Sequence, residues 1–160
     1  MLCEYGADPN AGMLDALMYG EFDAVYALLA HGARVSVIAA AALGRTDDVR
    51  KLAPIADDNE RRIALAVAVQ HGRTEAVRAL LEAGADAPGF TPPPGHSHAT
   101  PLHQAALYGH EEIVQLLLRY GARLDVRDVL FDGTPADWAQ HGGFPELASS
   151  LRSAQNEIRE

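Results

Sequence analysis

Cysteine is almost absent from this chain. Cys3 stands alone among 160 residues, so no internal disulfide can form, and a reducing, cytoplasmic setting fits. Lysine is equally scarce, with Lys51 set beside many arginines. Acids outnumber bases, 22 to 13, and the net charge is −9. A nucleic-acid binder needs a basic face that neutralises phosphates; here acids and arginines alternate, which argues against nucleic acid. No run approaches the roughly 20 apolar residues of a membrane-spanning helix, so no membrane role is expected. Met1-Leu2-Cys3-Glu4 has neither the basic n-region nor the apolar h-region of a secretory signal. The chain also lacks a glycine-rich phosphate loop, a GxSxG elbow and an HExxH pair. A Cys–His nucleophile would need Cys3, at the very end of the chain. Asp47-Asp48 suits a helix N-terminus and Asp57-Asp58 a loop, and neither marks an acid–base couple. The expectation is a chain with no enzymatic activity, no catalytic residues and no cofactor.

What is present is a unit of two helices. Thr100-Pro101-Leu102-His103-Gln104-Ala105-Ala106-Leu107-Tyr108-Gly109-His110 is followed, after two acids, by Ile113-Val114-Gln115-Leu116-Leu117-Leu118-Arg119-Tyr120-Gly121-Ala122. Thr100 suits an N-cap, and Pro101 the first helical position, where its missing N–H costs nothing. Ala105 and Ala106 let two helices approach closely. Gly109 permits the turn, and Gly121 ends the second helix. Ile113, Val114, Leu116 and Leu117 form an apolar stripe at helical spacing.

Weaker copies lie on both sides. Gly72 heads one, with Ala68, Val69, Val77, Leu80, Leu81 and Gly84 in place; Gly143 heads another, opened by Thr134-Pro135. Gly44 and Gly20 head degenerate copies, and Leu2 to Asn10 reads as the tail of one more. This pattern resembles the ankyrin repeat, strongly from Ile63 to Gly143 and weakly before it. The resemblance implies an all-α solenoid of stacked helix-turn-helix repeats. It implies a single domain over 1–160, with units at about 1–10 (partial), 11–34, 35–59, 60–99, 100–133 and 134–160. The last becomes polar after Leu151, as a terminal cap must. The long loop, the finger and Gly-Thr-Pro-Ala-Asp-Trp-Ala are similar to an arrangement in bacterial ankyrin-repeat proteins, and the arginine bias fits a bacterial source. A start inside a repeat implies either a missing upstream part or a rudimentary first cap.

The spacings between turn glycines vary. Gly109 to Gly143 is 34 positions, near the usual ~33. Gly72 to Gly109 is 37, Gly44 to Gly72 is 28, and Gly20 to Gly44 is 24. The short spacings leave room for a helix pair but little for a hairpin. Finger loops are therefore expected only in the C-terminal half, one of them enlarged.

The resemblance implies a partner protein bound in a concave groove lined by the first helix of each pair. Counted from the capping residue, positions four, seven and eight would face it. These are Gln104, Leu107 and Tyr108 in the strongest unit, and Val67, Gln70 and His71 in the unit before. Trp138 and His141 follow in the last unit; Tyr19 belongs to the first, beside Asp15 and Met18. Trp138 has an alternative place, packed under the cap. Phe90, in the proline-rich loop Asp86–Ala99, and Phe131, in the loop Asp125–Gly133, are candidate anchors, though the Leu130-Phe131 pair is expected to fold back onto the neighbouring finger rather than stand open. His96-Ser97-His98 invites a metal or small-ligand reading. Zinc needs three or four converging ligands, though, and two histidines on one loop do not supply them. No metal site is expected there. His103 is expected to tie loop to loop by a local hydrogen bond. A regulatory fragment of a larger protein is the remaining alternative.

Overall fold

The computed structural model describes residues 8–159. Cys3 and most of the partial unit at 1–10 lie outside the described residues, as does Glu160. Among the described residues, ten α-helices follow one another in pairs: α1 (Met13–Tyr19) and α2 (Phe22–Ala30), α3 (Val37–Leu43) and α4 (Thr46–Leu52), α5 (Asp58–Gln70) and α6 (Thr74–Glu82), α7 (Pro101–Leu107) and α8 (Glu111–Arg119), α9 (Pro135–His141) and α10 (Pro145–Arg159). No strand occurs among the described residues, and none of their helices is long and apolar enough to cross a membrane.

Local chemistry sets where the inner helices begin. Ser36 accepts a hydrogen bond from the Ala39 amide at the start of α3. Capping boxes open α5 (Asp57 with Glu60), α7 (Thr100 with His103) and α9 (Thr134 with Asp137), and a proline follows the threonine in the last two. The turns between paired helices need glycine. At Gly109 φ is 67°, and a Cβ there would overlap the Phe144 ring of the following pair.

From α3 onward the inner helices stack α3 on α5, α5 on α7 and α7 on α9, while α4, α6 and α8 line up behind them. One apolar core runs through these layers from Val37 to Leu151. Fully buried alanines at 40, 41, 64, 68, 105, 106 and 139 allow the close approach. A second, smaller core joins α1 and α2 to α3 and α5.

The connections between pairs follow the glycine spacings. Those before α3 and α5 are short, the second reduced to a 3₁₀ turn at Ala53–Ile55. Those before α7 and α9 project as fingers. Each finger closes on a backbone hydrogen bond, Thr91 N–H to Ala99 O in one and Asp128 N–H to Gly133 O in the other, and has no strand ladder.

Candidate functional site

The second finger, residues 125–133, is built around one carboxylate. Asp128 Oδ1 accepts from the backbone N–H of Leu130 (2.9 Å) and Phe131 (2.7 Å). Its Oδ2 accepts from the Gly133 N–H and from Trp138 Nε1, both at 2.9 Å. Burial of this side chain, 3% exposed, pushes the carboxyl upward in pKa, but the four hydrogen bonds outweigh it and hold it below the usual range. The loop is thereby fixed with its tip outward. Val129, Leu130 and Phe131 are 72%, 65% and 73% exposed, three consecutive apolar residues in solvent. Such residues usually bury themselves unless something else covers them.

Trp138 sits beneath this finger, half-buried, with its ring 5.3 Å from that of His103 and 5.7 Å from that of His98. His103 is fully buried. Its Nδ1 accepts from the Thr100 N–H at 3.3 Å, and its Nε2 donates to the Gly133 carbonyl at 3.1 Å. These partners select the neutral Nε2–H tautomer. Burial pushes its pKa down, which favours the same form. His103 thus ties the start of α7 to the second finger.

The first finger, residues 86–99, is strapped to α5 by Arg62. The guanidinium donates to the Phe90 carbonyl at 2.5 Å and lies 3.8 Å from the Asp86 carboxylate. Phe90 is half-buried, so only part of its ring is open to a partner. The Val129 N–H donates to the His98 carbonyl at 2.9 Å and joins the two fingers. The His98 ring stands 6.1 Å from Phe131 and 5.6 Å from His96. Among the described residues, no group of three or more His, Cys, Asp or Glu could hold a metal.

The expected groove residues divide. Val67 and Gln104, at position four of their units, are fully buried or nearly so and present no surface. Gln104 lies on α7 between α5 and α9, and Val67 is covered by α1. Gln70 and His71 are half-buried and bonded to the end of α1 through the carbonyls of Met18 and Leu17. The other candidates remain at the surface. Tyr108 is 41% exposed and stacks on His110 at 5.9 Å. Leu107 is half-buried, His141 is exposed, and Tyr19 is 82% exposed at the end of α1. A Cβ on Gly142 would overlap the Leu107 carbonyl, so His141 and Tyr108 follow one edge of the stack. Sequence reasoning missed Asp128 and Arg62. Asp128 had a signal: an aspartate placed to bond the amides two and three residues on forms an Asx-type turn. Arg62 had none, since its partner Phe90 is 28 positions away.

A family model described as ankyrin repeats, in three copies, matches residues 1–128. The chain is 39% identical over 90 residues to the ARF GTPase-activating protein GIT2 of Mus musculus, covering 56% of this chain but 12% of that protein. It therefore spans about an eighth of that relative's length. Cyclin-dependent kinase inhibitor 2A of Homo sapiens is 37% identical over 124 residues, covering 59% of this chain and 79% of that protein. A probable E3 ubiquitin-protein ligase, XBOS31 of Oryza sativa subsp. japonica, is 35% identical over 108 residues, covering 68% of this chain and 22% of that protein.

Proposed function

Because the chain belongs to the ankyrin-repeat family, we propose that it is a non-catalytic module that binds a partner protein through its C-terminal half. Ankyrin repeats generally serve protein–protein interaction, and one relative is by name an inhibitor of a cyclin-dependent kinase. The observation that carries the reading is the second finger: three consecutive exposed apolar residues on a loop that Asp128 holds rigid. A preformed apolar tip binds without the cost of ordering a loop. Trp138 supports the second finger through Asp128, Phe90 offers a half-buried ring on the first, and Leu107, Tyr108 and His141 supply a second contact edge. In this reading the units at 11–34, 35–59, 60–99, 100–133 and 134–160 act as one domain.

The test is affinity capture from the native lysate, read by mass spectrometry, with three forms of the chain. Leu130→Ala/Phe131→Ala removes the tip, and Leu107→Ala/Tyr108→Ala removes the edge. Hot-spot side chains contribute about 2 kcal/mol or more, so the tip variant is expected to weaken capture by roughly 30-fold. A protein enriched equally by all three forms would sink this surface as the binding site.

A further inference from the structure

The pair α1–α2 breaks the order of the stack. In the later layers, the residue after each turn glycine covers the turn glycine of the pair before: Arg73 lies against Gly44, His110 against Gly72 and Phe144 against Gly109. Gly20, at the end of α1, should by this rule meet Arg45. Its nearest neighbour across the fold is instead His71, at the end of α5. So α1 packs on α3, and its C-terminal end extends across to α5.

The faces of α3 and α5 show how. Ala64, Leu65, Ala68 and Val69 of α5 join the main core, while Ile63 and Val67 join Met13, Ala16 and Leu17 of α1. α3 divides in the same way, with Ala40 and Ala41 inward and Ala39 and Ala42 toward α1. Ala39 and Ala42 are fully buried there, Ile38 and Leu43 pack beside them, and the end of α1 still meets α5. This covered face holds the positions at which a partner was expected.

The contact recognises a helix by its backbone. The last carbonyls of an α-helix have no partner within the helix. Gln70 Nε2 donates to the Met18 carbonyl at 2.6 Å, and His71 Nε2 to the Leu17 carbonyl at 2.8 Å. Two side chains thus clamp the end of α1 without reading its sequence. Ile63 and Val67 share one apolar cluster with its Met13 and Leu17, which are one helical turn apart. Any amphipathic helix with two apolar residues so spaced before its C-terminus presents the same features.

The occupant is lightly held. The N-cap of α1, Gly12, offers no side-chain bond. Val25 is the only fully buried residue of α2, and Tyr26 is 59% exposed. Elements with few buried contacts open at low free energy.

We propose that the α3–α5 face is a docking site for an amphipathic helix, and that α1–α2 is its resident, displaceable occupant. A partner helix competes with a tethered segment of effective concentration in the millimolar range, so the free chain is held in a low-affinity state. This site shares no residue with the fingers, although Met18 of α1 lies close to Gly95 of the first.

Two measurements on the full chain test it. In hydrogen exchange, the amides of α1 and α2 are expected to exchange together, at least tenfold faster than those of α7 and α8. Gln70→Ala/His71→Ala should speed them further and leave α7 to α10 unchanged. In the second measurement, a labelled peptide of residues 11–34 is added in trans. It should bind the full-length Leu17→Asp variant at least tenfold more tightly than the wild type, and Val67→Asp should abolish that binding. Unchanged exchange in α7 to α10 shows that each variant is folded. Exchange of α1–α2 at the rate of α7 and α8 in the wild type would make the pair a fixed part of the core and overturn the proposal. Equal peptide binding by wild type and Leu17→Asp, or none by either, would overturn it as well.

Discussion

Asp128 accepts four hydrogen bonds with 3% of its surface exposed, so removing it strands the amides of Leu130, Phe131 and Gly133 and the indole N–H of Trp138. Bonds to a charged acceptor are worth more than neutral ones, and stranded buried donors cost more than the bond alone. Asp128→Ala is therefore expected to lower stability by about 2–4 kcal/mol in urea unfolding. Asp128→Asn should cost less, because one carbonyl oxygen remains while the amide nitrogen opposes a donor. A loss under about 0.5 kcal/mol in the alanine variant would show that water satisfies the donors and that the tip is not rigid. The carboxyl is held below its usual range, so its contribution is present above the unfolded value near ~3.9 and fades as pH falls through the folded one. The asparagine variant should lose that fade.

The first finger tests the same idea at the scale of an element. Arg62 fixes residues 86–99 to α5 through the Phe90 carbonyl and the Asp86 carboxylate, and its side chain is partly exposed. Arg62→Ala should change global stability by no more than about 1 kcal/mol, since exposed ion pairs contribute little. It should nonetheless speed limited proteolysis within 88–98 several-fold, because the strap acts on the loop and not on the core. Cleavage at the wild-type rate would show that proline stiffness alone holds the finger. This strap was not legible in the sequence, because it joins residues far apart in the chain. Local signals were legible: Thr100-Pro101 and Thr134-Pro135 open helices, Gly109 turns, and the short spacings from Gly20 to Gly44 and Gly44 to Gly72 leave no fingers. Position counting placed Val67 and Gln104 on the correct helices but could not show what covers them. Val67 is buried in a cluster shared by α1, α3 and α5, a coincidence of three helices that no single period encodes.

Across the whole molecule, acid acts through histidines that join distant layers, one fully buried and one half-buried. His71 ties α5 to the end of α1, and His103 ties α7 to the second finger. Burial is the main cause that pushes both below the ordinary histidine value of ~6.5. The unfolded chain therefore takes up protons on these rings, as pH falls through ~6.5, before the folded chain does, and stability declines on the acid side of that point. An opposing effect exists, since protonating surface groups reduces the net charge of −9 and its self-repulsion. Exposed charges are well screened at physiological salt, so the buried rings should dominate. The melting temperature is expected to be lower at about pH 5.5 than at about pH 7.5, by roughly 2–4 °C for each kcal/mol lost in a chain of this size. His71→Gln/His103→Gln should begin less stable at the higher pH and then lose less on acidification. If the double variant falls by as much as the wild type, the acid sensitivity belongs to other groups. Asp128 and Asp137, both held low by hydrogen bonds, would be expected to carry any loss that begins only below about pH 4.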